Sequence, residues 1–556
     1  MRFIRVIRDG DVSVNEANDS AHANINTTHT ALDTQQHSMP ASSTSVLIVG
    51  AGPTGLVLAL WLSKLGVKVR IIDKAEQAAT STRAVAVQAR TLELYAQFDP
   101  ALASTVVSQG RKAVGFNAWV HGRRAFHAPL AQIGEGMTPF PFVHIYSQHE
   151  HERLLTDKLR QDFGVSVEWH TELVGFEDRR GAGAVVARVK TASGAEEVVE
   201  ANYIAGCDGS HSAVRKTLGI SFPGGVYDQL FYVADIAGAG PAMDGQIHVC
   251  LDEADFLAIF PLAGPGRARL IGTVRHTSSA ALRDLSFDHV SGRAVRQMKL
   301  QVSRVNWFST YRLHHRVAER FRQGRAFLLG DAAHVHSPAG GQGMNTGIGD
   351  SINLAWKLAA VLAGDAEDVL LDTYQEERAC SAHRLVSTTD RAFNVATAEG
   401  WFAQFVRTRI VPVLFPILFS FRAVRRFMFR TVSQITLNYC GMTLSSGRVG
   451  KVRGGQRLPW VVVDGVGNYE SLSSVAWQIH VYGTATDALA AWSNKHGLRL
   501  TSFSWTSGCA SAGLTRDAVY VLRPDGYVAM AQTRVDVDAI ERYFDRHQIR
   551  LSSLGR

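Results

Sequence analysis

The stretch SVLIVGAGPTGLVLALWLSKLGVKVRIIDK, residues 45–74, decides how this chain folds. Val46 to Val49 form a continuous apolar run, the pattern of a parallel strand buried on both faces. Gly50, Gly52 and Gly55 follow in GxGxxG spacing. Leu56 and Leu60 open a helical period that runs to Leu65, and Gly66 stands where a helix ends. Val67 to Ile72 reads as a second strand. Gly50 permits the tight turn, Gly52 lets a pyrophosphate approach the backbone, and Gly55 lets the helix pack on the strand. The helix start, with Pro53 and Thr54 in its first turn, offers free N–H groups and a positive dipole to phosphate. Asp73, followed by Lys74, ends the second strand 18 residues after Gly55. A carboxylate there accepts from a ribose hydroxyl. The motif does not by itself separate FAD from NAD.

Working outward, residues 1–44 are rich in Asn, Thr, Ser, His and Ala and contain one aromatic residue, Phe3. They predict a disordered leader. Without an apolar core they are no secretory signal, and Asp9, Asp11, Glu16 and Asp19 argue against a transit peptide. Met39 is a candidate start of the ordered chain. Short alternating segments between 222 and 315 (QIHVCL, FLAIFPL, ARLIGTVR) predict an antiparallel sheet. The nucleotide-type pattern returns at RAFLLGD, 325–331. The predicted architecture is therefore α/β. A Rossmann-like domain over 45–221 and 316–400 is interrupted by a mixed or antiparallel sheet domain, 222–315. A helical connection, 401–454, leads to a compact α/β unit, 455–556.

The 556 residues carry a formal net charge of +8, read as spread along the chain with no run of five like charges. That pattern favours a basic enzyme drawing in anionic small molecules over a nucleic-acid binder. Five cysteines, none in CxxC spacing, predict a reducing compartment with neither a disulfide framework nor a zinc site. A cytoplasmic location is expected. No stretch reaches the roughly 18 apolar residues of a membrane span. The nearest, IVPVLFPILFSF at 410–421, is broken by Pro412 and Pro416 and reads as a buried helix pair.

Two further motifs carry chemistry. YIAGCDGSHSAVRKTLGI, 203–220, is a strand running into Asp208-Gly209 and then a helix bearing Arg215. An Asx turn capping that helix would explain the residues equally well. GDAAHVHSPAGGQGMNTGIGD, 330–350, places Asp331 after Gly330 at the carboxyl end of a buried strand, where α/β sheets bind ligands. Pro338, Gly340, Gly341 and Gly343 then lead to Met344 and Asn345 at the start of a helical period. Such a start stabilises an anion. His334 and His336 are two apart, a possible metal pair on a strand, but no third ligand is evident and no metal is predicted.

In this order and spacing, GAGPTG, CDGSHSAVR and GDAAHVHSPAGGQGMN resemble the single-component FAD-dependent aromatic hydroxylases. The resemblance covers about 45–400. Its closest branch is similar to the phenol hydroxylases that carry a thioredoxin-like C-terminal domain, which PDGYVA at 524–529 also matches. The resemblance implies bound FAD, with NADH or NADPH and O2 as co-substrates and a small aromatic substrate. That substrate is a phenol, substituted phenol or catechol hydroxylated through a flavin C4a-hydroperoxide, or alternatively a larger aromatic polyketide. It implies no nucleic-acid partner and allows a homodimer. By the same resemblance Gly50, Gly52, Pro53, Thr54, Gly55, Asp73 and Lys74 hold the ADP half of FAD. Arg83, Gln88 and Gln148 lie along the cofactor, Asp208 lies near the pyrophosphate, and Asp331 with Gly330 binds the ribitol. The backbone from Pro338 to Asn345, through Gly340, Gly341, Gly343 and Met344, faces the isoalloxazine ring. Only one GxGxxG is present, so NAD(P)H has no Rossmann domain of its own.

The chain departs from the phenol-hydroxylase pattern at Ala84-Val85-Ala86, where that branch places an aspartate. Replacement proton acceptors would be Tyr232, His248 or Tyr311, each as readily structural. The pocket walls are expected from Phe256, Phe260 and Pro261. A halogenase would add a WxWxIP segment, which is absent. A non-catalytic flavin protein is the other alternative.

Overall fold

The computed structural model describes residues 42–551, apart from 81–83, 180, 182, 252–255, 275–284, 290–291, 338 and 398–399. Most of the expected leader, Arg83 and Pro338 lie outside the described residues.

The stretch that opens the sequence forms strand Ser42–Val49, helix Pro53–Lys64 and strand Val69–Ile72. Val46, Leu47 and Ile48 are fully buried. The first strand pairs in parallel with Val69–Ile72 on one side and with Glu196–Gly206 on the other. Ala326–Leu328 adds in parallel beyond Glu196–Gly206. All three motifs therefore end on adjacent parallel strands and at the same edge of one sheet. Topology, not sequence distance, brings residues 50, 208 and 331 together.

The second sheet has eight strands and is wider than the 222–315 insertion. Ile247–Cys250 pairs in parallel with Gly115–Val120, which forms a hairpin with Arg123–Pro129. His334–Val335 joins the opposite edge through the end of the long strand Gln301–Val317. The boundary expected at 222 is corrected accordingly, because non-local pairing recruits residues 115–129 from the preceding segment.

The C-terminal unit also starts earlier than expected. Ser446–Val449 and Val452–Arg453 add to its six-stranded sheet. Its core runs strand Gln478–Tyr482, helix Asp487–Lys495, strand Arg499–Phe503, helix Ser507–Ala512, strands Val519–Leu522 and Val528–Gln532, and helix Val537–Arg546. The first two of these strands are parallel and the last two antiparallel.

Buried charge joins this unit to the flavin domain. Arg523, fully buried, donates from both Nη atoms to Glu377 (2.5 and 3.0 Å) and from Nε and Nη2 to Asp525 (3.0 and 2.6 Å). Lys357 Nζ and Asn353 Nδ2 also donate to Glu377 (2.9 and 2.6 Å). Trp356 donates to Asp525 (3.2 Å), and Arg90 and Gln97 donate to the carbonyls of Asp525 and Pro524. Burial raises the Glu377 pKa, but Arg523 and Lys357 outweigh it and hold the carboxyl at about 2, below its ordinary 4.5.

Removing one partner of such a pair strands the others in a dry site, which typically costs about 3–5 kcal/mol. Arg523→Met should lower the urea midpoint by a corresponding amount. Because the Glu377 pKa is depressed, its stabilisation is complete above pH 4.5 and is lost as pH falls towards about 2. Tryptophan fluorescence through acid unfolding should show this window in the parent and lose it in Glu377→Gln. An unchanged midpoint in Arg523→Met would refute the role given to this network.

Candidate active site

At the glycine turn each glycine has a different reason. Gly50 has φ 104°, and a Cβ there would lie 2.4 Å from the Cys207 carbonyl oxygen. A Cβ on Gly55 would lie 1.9 Å from the Gly50 carbonyl oxygen. Gly52, with an ordinary φ of −72°, faces open space. Nothing in the protein itself requires glycine at 52. The helix that follows has no side-chain cap on its N-terminus. A bare residue beside an uncapped helix start fits a pyrophosphate. Asp73 closes the turn: its carboxylate accepts from Ala51 N (2.7 Å) and Ala75 N (2.8 Å). Lys74 is exposed at the same strand end. Thr54 is wedged between strands and helices. A Cβ on Gly330 or Gly347 would come within 2.6 or 2.4 Å of its hydroxyl, and Ser351 Oγ donates to its carbonyl (2.7 Å).

Asp208 caps the helix Ala213–Thr217 through one oxygen, which accepts from Ala213 N (2.6 Å) and Val214 N (3.2 Å). The other oxygen, Oδ1, is buried with no protein partner. A carboxylate oxygen buried without a donor is costly, and a ligand hydroxyl would satisfy it. Asp331 follows Gly330 with its side chain exposed at the same sheet edge. These residues fit the FAD that the fold implies.

The glycine loop before the helix Gly343–Leu362 is held from the side by Asn345. Its Oδ1 accepts from Gln88 N and Thr91 Oγ1 (both 2.8 Å), while Nδ2 donates to the carbonyls of Ala86 (2.9 Å) and Gly341 (3.0 Å). Gln88 is buried and donates to the carbonyl of Gly340 (2.9 Å). Its side chain thus shapes the loop. Gly341 has φ 61°, and a Cβ there would meet Ala86 Cβ at 2.9 Å. Met344 is half-buried against the flavin-domain core. This helix also starts without a side-chain cap, leaving its N–H groups for a ligand.

The HxH pair is divided. His334 Nε2 bonds the buried carboxylate of Asp350 (2.8 Å), and His336 Nδ1 lies 2.7 Å from its neighbour's carbonyl, Ser337 O. Asp350 also accepts from Gly330 N (2.9 Å) and Arg378 Nε (2.6 Å). Burial raises its pKa, but Arg378 and His334 more than compensate and keep it low.

The second sheet turns one face towards the segment 84–88. Arg269 marks it: fully buried, it donates to both oxygens of Asp235 (2.6 and 2.7 Å) and from Nη1 to the Ala84 carbonyl (3.2 Å). Strand register puts Phe260 beside Arg269, with Phe231 and Tyr311 further along the same face. Phe256 packs with Phe231 and Tyr311, and Phe260 packs in a cluster with Val85 and Ile145. Pro261 pairs with Ala268 and points to the other face. That other face also holds Tyr232, which packs with Phe308, and His248, which is bonded to Trp119 and Asp244. The alternation of the strands thus puts Tyr232 and His248 on the face turned away from the segment 84–88.

Gln148 begins the helix Gln148–Phe163. Its Oε1 accepts from Ala84 N (3.3 Å) and its Nε2 donates to Glu152 (2.8 Å). Burial, reinforced by Asp73, pushes the Glu152 carboxyl up to about 7, against the pull of Gln148. Next to Gln148, His149 has a buried Nδ1 with no protein partner. Burial lowers its pKa, and Glu150, Arg269 and Asp235 are within electrostatic reach. Sequence reasoning missed Asp235, Arg269 and His149. The one available signal was a charged residue at an inward position of the strand Arg267–Val274.

The glycine geometry separates ligand from fold. Gly52→Ala should fold with an unchanged apoprotein thermal midpoint yet bind FAD at least roughly tenfold more weakly, read by flavin-to-protein absorbance. Gly55→Ala should instead lower the apoprotein thermal midpoint, since overpacking costs about 1–3 kcal/mol. Full flavin occupancy in Gly52→Ala would contradict the placement of the phosphates.

Comparison with known proteins agrees with this geometry. The FAD binding domain family matches residues 43–389. The chain is 36% identical over 407 residues to 6-methylpretetramide 4-monooxygenase of Streptomyces rimosus, covering 73% of this chain and 70% of that one. It is 30% identical over 504 residues to a flavin-dependent monooxygenase of Mycobacteroides abscessus, covering 87% and 96%. The solved structure of OxyS anhydrotetracycline hydroxylase from Streptomyces rimosus superposes with a TM-score of 0.72 at 26% identity, covering 92% of this chain and 99% of that one. A GxGxxG turn, an aspartate with an orphaned oxygen and an uncapped helix meet at one sheet edge, facing an aromatic-lined second sheet. With these matches, the chain belongs to the class A FAD-dependent aromatic hydroxylases, the flavoprotein monooxygenases.

Proposed function

We propose that the chain hydroxylates a polycyclic phenol of the aromatic-polyketide type, using NAD(P)H and O2. The observation that carries this reading is the broad aromatic face of the second sheet beside the segment 84–88. Phe256, Phe231 and Tyr311 line one end and Phe260 with Phe116 the other. At Ala84-Val85-Ala86, where small-phenol hydroxylases carry an acid, this chain has small apolar side chains. Space there suits a fused ring better than a single charged contact. The name of the Streptomyces rimosus relative, a methylpretetramide monooxygenase, points the same way.

FAD, when bound, supplies two-electron chemistry with O2 and delivers one oxygen atom to the ring. The protein does the rest. The N-terminus of helix Gly343–Leu362 offers its N–H groups to negative charge at the edge of the flavin. The Arg269–Asp235 pair fixes the sheet against Ala84 and so sets the distance between substrate and cofactor. His149, neutral because burial lowers its pKa, accepts the phenol proton at Nδ1. The helix Val411–Ser420, whose Phe415 and Phe419 pack with Phe260, excludes water over the aromatic face.

The purified protein should be yellow, and its NAD(P)H oxidation should rise when a phenol is added, more with fused-ring phenols than with phenol itself. Oxidation indifferent to every phenol tested would sink the reading, and a response to monocyclic phenols alone would return the chain to the phenol-hydroxylase branch. His149→Gln should keep its FAD but lose roughly 10²-fold in kcat, with the acidic limb of the pH profile flattened. An unaltered profile would remove His149 from this role.

A further inference from the structure

The segment read as a buried helix pair is exposed. A helical run extends over Trp401–Ser420, with one wider turn at Val406–Ile410, and is followed by the helix Arg422–Val432. On the inner side Phe415 stacks on Phe126 at 4.8 Å and on Phe419 at 5.5 Å, and both pack with Phe260 and Phe116 on the pocket face of the second sheet. The outer side shows Ile410, Val413, Leu414, Ile417, Leu418 and Phe421, one continuous stripe at helical spacing. Trp401, at 79% exposure, and Phe402 and Phe405 extend it. Ten of the 17 large exposed apolar residues among the described ones lie between 401 and 427. A patch of this size on a folded protein marks an interaction site.

The charge around it is equally one-sided. Residues 401–432 contain six arginines and no acidic residue. Between 400 and 463 there are ten Arg and Lys and no Asp or Glu, more than the whole chain's net +8, although the last four, Arg448 to Arg457, belong to the C-terminal unit and Arg457 pairs with Glu93. The basic excess is concentrated here, which corrects the expectation that it is spread. Among the described residues Arg409, Arg422, Arg426 and Arg430 form no ion pair with an acidic side chain. Arg426 has its pKa lowered first by burial and then by Arg422 and Arg430.

We infer that this surface docks on an anionic phospholipid bilayer, lying in its interface. An apolar stripe with an aromatic end and flanking arginines is what inserts below lipid headgroups, while the arginines pair with anionic ones. The run is long enough to cross a bilayer. Its inner face, however, is committed to the protein through Phe415 and Phe419, so it lies along the membrane. A second copy of the chain is the weaker occupant, because a two-fold interface would set the same arginines against each other. Bilayer docking would place an apolar entry route directly over the substrate face.

Flotation of the full-chain holoenzyme with vesicles, followed by flavin absorbance, tests this without turnover and so independently of the proposed reaction. Binding is expected to vesicles of phosphatidylcholine with phosphatidylglycerol, to be far weaker with phosphatidylcholine alone, and to be reversed by salt. Ile417→Ser with Leu418→Ser should weaken binding roughly tenfold with flavin content unchanged. Arg422→Gln with Arg430→Gln should abolish the preference for phosphatidylglycerol. The inference is overturned if the holoenzyme floats with neither vesicle or equally with both. It is also overturned if the serine variant changes sedimentation from dimer to monomer and leaves vesicle binding untouched, which would give the face to a second copy.

Discussion

A carboxylate with no access to water organises this molecule. Asp350 lies two turns inside the helix Gly343–Leu362, and it collects Gly330 N, His334 and Arg378. Each partner comes from a different part of the fold: the turn after a central strand, the edge of the second sheet, and the following helix. Arg378 continues to the hydroxyl of Tyr439 (2.8 Å) and the carbonyl of Thr346 (3.1 Å). Its neighbour Glu377 takes up Lys357 and, from the C-terminal unit, Arg523. Buried charges of this kind add little net stability, but each is intolerable alone. They therefore tie the GD turn, the flavin helix and the C-terminal unit into one geometry that none can leave separately.

This explains where the motif residues ended up. The sequence pattern singles out glycines and aspartates, yet several act by holding others. Thr54 fills the space under Gly330 and Gly347, and Gln88 and Asn345 fasten the loop over 340–343. The groups left facing outwards, the open side of Gly52 and the orphaned oxygen of Asp208, are those a dinucleotide would satisfy. A preorganised site of this type spends no binding energy on ordering its own loops.

What was legible in the sequence is what is local. The first βαβ unit, the strand-end aspartates and the return of the flavin domain at 325 follow from runs, turns and periods within about thirty residues. The pairing of Ile247–Cys250 with Gly115–Val120 has no such signal, so the second sheet was read too narrowly. Arg269 carries only a weak signal for a related reason. A charge in a short strand reads as outward until its partner, Asp235 on a strand 34 residues away, is known. Tyr232 and His248 are eligible in the sequence because it does not say which face of an eight-stranded sheet turns towards the segment 84–88. The stretch 410–421 was misread because apolar composition does not distinguish burial from exposure.

That last misreading bears on how substrate and cofactor meet. An aromatic substrate is poorly soluble in water, and a pocket that receives it must be dry during oxygen transfer. The cap over 401–432 meets both demands with one element. Phe415 and Phe419 seal the aromatic face from inside, and the apolar stripe on the reverse of the same helix keeps the approach free of water. Ile417 and Leu418 lie within three residues of Phe415 and Phe419 but on the exposed side of the helix, so the outer stripe can be changed while the inner phenylalanines stay in place. The arginines at its ends fix its depth at an interface, because a guanidinium stays with headgroups while its stem remains in the apolar layer. The charge distribution of the chain is unremarkable when averaged over 556 residues, yet the six arginines of 401–432 have no acidic residue among them.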